Sequence, residues 1–158
     1  MSNERLKGWK KQETAFNYAE EREFGPGLRA GGLYADLGVA KATGGQFHAH
    51  VIKVNPEKHD HDGTTGMHRH DYDFQFNYVL KGSIDFVIEG HEGTLTFKEG
   101  DSYLLPHKIL HDETRVSDDY EVLEIYAPAR SGTQQIVQGA GGGEVSEGWA
   151  ERQSKMSY

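Results

Sequence analysis

Two histidines two residues apart, His68 and His70, a glutamine at position 75 and a histidine at position 111 are the side chains of this sequence best suited to holding a metal ion. On an extended strand, alternate residues project from one face, so both imidazoles of "HRH" would point the same way. Paired neutral imidazoles suit a divalent transition metal, which draws its third and fourth ligands from elsewhere in the chain. Such sites commonly include a carboxylate, yet the next candidate along this strand is the amide of Gln75. The same histidines could instead line a polar cleft that binds no ion.

The elements around these residues read as an all-β domain. Short runs of β-branched and aromatic residues recur between glycine- and aspartate-rich turns from about residue 33 to residue 129. Candidate strands are "QFHAHVIKV" (46–54), "DFQFNYVL" (73–80), "IDFVIEG" (84–90), "TLTF" (94–97), "EGDSYLLP" (99–106) and "EVLEIYAP" (121–128), and none carries a sustained helical period. Residues 1–32 form a polar N-terminal arm ending in the turn-like "GPGLRAGG". Residues 130–158 form a flexible or partly helical C-terminal tail in which "GAGGGE" reads as a joint.

At 158 residues the chain suits one domain with a real core. It has no cysteine, which removes disulfides and thiolate metal sites, and its net charge of −8 argues against nucleic-acid binding. No apolar run reaches membrane-spanning length and "MSNERLKGWKKQ" has no signal-peptide core, so a cytoplasmic protein is expected. There is no GxxxxGK[ST] loop, no G-x-S-x-G and no cysteine nucleophile.

A second cluster, "GDSYLLPHKILH", places Gly100, Pro106 and His111 at intervals of six and five. Together the two stretches resemble the cupin family, whose motifs run G-x5-H-x-H-x3-4-E-x6-G and G-x5-P-x-G-x2-H-x3-N. His68, His70 and Gly82 match the first, with Gln75 at the glutamate position. Lys108 replaces a glycine of the second motif and Arg115 its asparagine, while Asp62 stands where the opening glycine belongs. The resemblance covers roughly residues 40–128. It implies a jelly-roll β-barrel with His68, His70 and His111 as ligands to one divalent Fe, Mn, Ni, Cu or Zn ion per chain, and Gln75 as a fourth.

A glutamine contributes a dipole where a glutamate contributes a charge. The metal's charge then stays uncompensated, which favours anionic or enolate-like ligands, or Gln75 steps back to hydrogen-bond a bound water or substrate. Asp71, Asp73 and Glu113 are candidates for the missing carboxylate, with Asp71 best placed to orient His70. If Gln75 faces inward, so do Asn77 and Val79, and Phe74, Phe76, Tyr78 and Leu80 form an apolar outer stripe. Either the stripe is core and Gln75 lies on the surface, or the stripe is covered, by a second copy of the chain, making a homodimer, or by the N-terminal arm.

His48 and His50 share a strand face, with His50 a candidate at the pocket border. His59 and His61 read as solvated loop residues, His91 as an exposed turn residue, and His107 as near the site without a ligand role. The expected function is that of a small-molecule metalloenzyme of dioxygenase or oxidoreductase type. A lyase or isomerase would use a redox-inert metal with Tyr72, Tyr103 or Glu113 as base. A non-catalytic binding or sensor protein for a small organic ligand is the remaining alternative.

Overall fold

The computed structural model describes residues 8–156, so the first seven residues of the arm, Lys7 among them, and the last two of the tail lie outside the described residues. Alternation of apolar and polar residues produces ten strands that pair antiparallel into two five-stranded sheets. One sheet has the order β1 (Gly32–Asp36), β2 (His48–Val54), β9 (Glu121–Ala127), β4 (Phe74–Lys81), β7 (Ser102–Leu104). The other runs β10 (Thr133–Gln135), β3 (His68–His70), β8 (His111–Val116), β5 (Ser83–Ile88), β6 (Leu95–Lys98). Their inner faces enclose the interior of a jelly-roll, the architecture the resemblance implies.

The expected strand at 84–90 shows the physics plainly. Ile84, Phe86 and Ile88 point inward and are 1%, 0% and 7% exposed, and burying each contributes roughly 1.5–3 kcal/mol. They pack with Val79, Tyr103, Leu105, Tyr120 and Val122 to make the apolar half of the interior. The register then places polar residues in the other half. Asp36, His50, Glu124, Asn77 and Tyr103 are successive partners across the first sheet, and His48, Tyr126 and Gln75 form a neighbouring row. Across from them, Gln135, His68, His111 and Ile88 are successive partners in the second sheet.

Gln75, Asn77 and Val79 face inward, at 4%, 2% and 0% exposure. Phe74, Tyr78 and Leu80 face outward, and Leu104 on the neighbouring β7 joins them, between 37% and 54% exposed. Among the described residues the N-terminal arm leaves that stripe exposed. It lies against residues 42–47, where the Glu13 amide donates to the Ala42 carbonyl (2.8 Å) and Trp9 packs on Phe47 (5.4 Å between rings). Among the described residues no helix is long and apolar enough to cross a membrane.

The region after residue 129 is built into the fold. It contributes β10 and a short helix, α2 (Trp149–Ser154). The run read as a flexible joint is held by backbone hydrogen bonds, from Gly31 to the Gly142 carbonyl (2.6 Å) and from Asp60 to that of Gly141 (3.0 Å). Close approach is what the glycines supply: a Cβ on Gly143 would meet the Thr64 carbonyl oxygen at 2.0 Å. Gly66, just before β3, combines φ +68° with a would-be Cβ 2.2 Å from the Val137 carbonyl oxygen. Gly66→Ala is therefore expected to destabilise the protein by roughly 1–3 kcal/mol, read as a lowered urea midpoint.

Candidate metal centre

β3 and β8 pair directly at His68 and His111, and His70 lies two residues along the same inward face. One ring nitrogen from each histidine falls within 4.8 Å of the other two, the span a single ion bridges. All three side chains are buried, with His68 and His111 at 1% exposure.

The hydrogen bonds settle which nitrogens are free. His68 Nδ1 lies 2.7 Å from the Gly66 carbonyl oxygen and His111 Nδ1 lies 3.0 Å from that of Ile109, so each Nδ1–H donates and each Nε2 keeps its lone pair. His70 Nδ1 is engaged by the Thr133 hydroxyl at 2.8 Å. Histidine ligands are characteristically held through the second nitrogen in this way. His111 Nε2 is buried with no partner, which is costly unless something binds there. These residues fit a divalent metal held by three neutral imidazoles.

Burial, aided by the neighbouring His111, Arg29 and His70, pushes the His68 pKa down to about 2, and burial with His111 takes His70 to about 3. Burial also lowers His111. The sign for stability follows. In metal-free protein these rings stay neutral where the unfolded chain, with pKa near 6.5, takes up protons. Folding stability is thus full above pH 6.5 and is lost as pH falls towards about 3. Urea midpoints of metal-free protein should fall steadily from pH 7 to pH 4, and loaded protein should release its metal over the same range.

The carboxylate that Gln75 meets comes from another strand. Gln75 Nε2 donates to Glu124 Oε2 at 2.9 Å, and Glu124 Oε1 accepts from His50 Nε2 at 2.7 Å. His50 Nδ1 in turn meets His48 Nε2 at 3.0 Å, so four side chains form one chain of hydrogen bonds along the inner face. Burial would raise the Glu124 pKa, but the His50 and Gln75 hydrogen bonds and the imidazoles of His50 and His70 outweigh it and hold it at about 2. With its nitrogen committed to Glu124, the Gln75 amide has its carbonyl oxygen left over.

The remaining candidates separate clearly. Tyr72 is buried, stacked on His70 (4.6 Å between rings) and on Tyr126 (4.1 Å). Tyr103 meets Tyr120 through their hydroxyls at 3.4 Å. Burial raises the pKa of both Tyr72 and Tyr103, making neither a ready base. Glu113, two residues beyond His111, lines the same cavity, and burial lifts its carboxyl to about 7 against the opposing charge of Arg29. Asn77 Nδ2 is buried there without a partner. The orienting role expected of Asp71 falls instead to Thr133: Asp71 is exposed, 3.8 Å from Lys108. Asp73 is likewise exposed, 4.0 Å from His107. His59 borders the cavity, and its loop neighbour His61 is exposed beside Asp118.

The three residues sequence reasoning missed are Glu124, Thr133 and Arg29. Glu124 had a signal, because inward Val122 and Tyr126 flank it at alternate positions. Arg29 had none beyond its type; it is 8% exposed inside a cavity of about 460 Å³ shared with His68, His70, His50, Asn77, Glu113 and Glu124.

Comparison with known proteins agrees with this geometry. Residues 57–126 match the cupin domain (Cupin_2). The pectin degradation protein KdgF of Dickeya dadantii (strain 3937) is 31% identical over 64 residues, 40% of this chain and 56% of that protein, so the match spans about half the relative's length. In fold, KdgF from Halomonas sp. superposes with a TM-score of 0.58 at 21% identity over 73% of this chain and 96% of that one. The polyketide cyclase RemF from Streptomyces resistomycificus does so at 0.63 and 17% identity, over 91% and 94%. A histidine-lined barrel, the matched domain and these neighbours lead to one conclusion: residues 57–126 match a cupin domain, and the chain has the cupin fold.

Proposed function

We propose that the protein is a metal-dependent enzyme acting on a small organic molecule inside the barrel. The observation that carries this reading is the set of three imidazoles with their Nδ1 atoms occupied, two of which open onto a cavity of about 460 Å³. That volume suits a small organic ligand. A divalent metal bound by His68, His70 and His111, with Gln75 as fourth ligand, would supply Lewis-acid polarisation of a substrate oxygen.

The chain's own residues do the rest. Asn77 Nδ2 is a donor aimed at the interior with no protein acceptor, suited to a substrate oxygen. Glu113 places a carboxyl in the same space, where it can hold or deliver a proton. Tyr72 and Tyr126 stack into a flat aromatic wall that limits water and orients the substrate. These features favour proton-transfer chemistry, of lyase or isomerase type. The dioxygenase reading is favoured by one observation, a ligand set of neutral imidazoles that leaves an anionic substrate to balance the metal. The relatives named for pectin degradation and polyketide cyclisation are in keeping with small-molecule chemistry.

The test is to load purified protein with Fe(II), Mn(II), Ni(II) or Zn(II) and offer enolisable carbonyl compounds in deuterated buffer, following deuterium uptake at carbon and O₂ consumption together. Deuterium exchange that needs metal and falls at least about tenfold in Glu113→Gln supports the proton-transfer enzyme. Metal-dependent O₂ uptake would transfer the assignment to dioxygenase chemistry. Absence of both across the panel would leave a binding protein. A cytoplasmic homodimer closing over Phe74, Tyr78, Leu80 and Leu104 completes the proposal, and a monomer in sedimentation equilibrium would remove that part of it.

A further inference from the structure

Arg29 precedes the matched domain and lies deep in the wall of the cavity. Its NH1 is spent on the fold. It donates to the Gln135 side-chain oxygen (2.9 Å), the Gly143 carbonyl (3.0 Å) and, at 3.4 Å, the Thr65 carbonyl. These partners come from β10, the glycine run of the tail and the loop before β3, so three separate segments clamp one edge of the guanidinium. Its NH2 is buried and has no partner. Among the described residues no carboxylate lies within 4.0 Å of it.

A guanidinium at 8% exposure without a counter-anion is costly, and a chain gains nothing by holding one rigidly unless something answers the charge. Asn77 Nδ2 is a second unpaired donor in the wall of the same cavity, from the opposite sheet. The cavity thus offers a clamped cation with free N–H, a neutral donor and the metal-ready imidazoles, and it lacks a fixed anion next to the cation.

We propose that Arg29 is the anchor for a carboxylate on the substrate, so that the protein acts on small organic acids, gripped at the acid end by Arg29 while the rest of the molecule extends towards the histidine centre. This rests on the enzyme reading above for what happens to the acid, but the grip itself does not need the metal. A planar guanidinium with a free edge matches a carboxylate in geometry as well as charge. The selecting residue then lies outside the metal motifs, in a segment held by the C-terminal tail.

The test compares acids with their uncharged amides on the full chain, both zinc-loaded and stripped of metal by chelator. Benzoate against benzamide and pyruvate against pyruvamide are titrated by calorimetry. In metal-free wild type each acid is expected to bind roughly tenfold or more tightly than its amide, and Arg29→Gln to remove that preference while leaving amide binding and zinc stoichiometry unchanged. Arg29→Lys should recover part of the preference. Should Arg29→Gln fail to fold by circular dichroism, the Arg29 side-chain N–H signals of wild type decide: a shift with benzoate and none with benzamide supports the anchor. Equal binding of acid and amide by metal-free wild type overturns it, as does an acid preference that survives in folded Arg29→Gln. A chain that takes up no metal but keeps the Arg29-dependent preference defeats the enzyme reading alone. A zinc-binding chain blind to acid charge defeats the anchor alone.

Discussion

His111→Ala should leave the purified protein without stoichiometric metal. The residue is 1% exposed, and it meets both other rings, at 4.2 Å from His68 and 5.2 Å from His70 between centroids. Changing residues that merely orient a histidine ligand costs about ten- to a hundredfold in affinity, and losing a ligand outright should exceed that. Metal content by inductively coupled plasma mass spectrometry, after loading with Zn(II) and gel filtration, is the readout, with His68→Ala as companion. Full occupancy in both variants would remove the centre. The metal-free state gives a second readout of opposite sign. His111 Nε2 is a buried nitrogen with no partner, so His111→Leu should unfold at a higher temperature than metal-free wild type. Lower stability would mean that the ring serves mainly as packing.

Restoring the carboxylate at position 75 should harm the protein. In Gln75→Glu a second acid would face Glu124 Oε2 across the 2.9 Å that the Gln75 amide N–H now bridges. Two carboxylates at that distance cannot both ionise in a buried site, and His50 already holds Glu124 charged. The expected loss is roughly 3 kcal/mol or more at neutral pH, shrinking on acidification as one of the pair takes up a proton. The exchange Gln75→Glu with Glu124→Gln should recover most of it, because it rebuilds the same hydrogen bond with the two groups reversed. A double variant no better than the single one would show that the charge must sit on β9, and a harmless Gln75→Glu would show that the two side chains do not share a proton-bearing contact.

How far the chain could be read from its sequence depends on where each signal lies. Residues 73–80 carry strict alternation, so parity sets Gln75, Asn77 and Val79 on one face and Phe74, Phe76, Tyr78 and Leu80 on the other; which face is inner does not follow from alternation, and in β4 it is the face of Gln75. The three histidines of the candidate centre sit inside spaced motifs, and the fold those motifs imply is the one observed. The strand β8 was not legible, because "HDETRV" has few apolar residues: its inner face carries His111 and Glu113 in place of core side chains. The carboxylate beside Gln75 was hidden for another reason. Asp71 and Asp73 are near in sequence but fall on the exposed side of buried Tyr72, and Glu124 becomes a neighbour of Gln75 only through pairing of β9 with β4, about fifty residues apart. The tail misled because glycine reports freedom and close packing alike. At Gly63, Gly141 and Gly143 the backbones meet too closely for any side chain, which is packing.

The contact between Thr133 and His70 also orders events in time. A ribosome that has released the chain only as far as residue 130 has already supplied His68, His70 and His111 but neither Thr133, which holds His70, nor Gln135, which holds Arg29. Until residues 133–135 are made, the three rings therefore lack the contact that orders His70. Capture of an ion by the growing chain before that point would have to rely on rings free to rotate, and a well-ordered centre arises only once β10 has threaded alongside β3. Any ion that the three histidines take up is thus expected to follow the docking of β10 rather than to direct it.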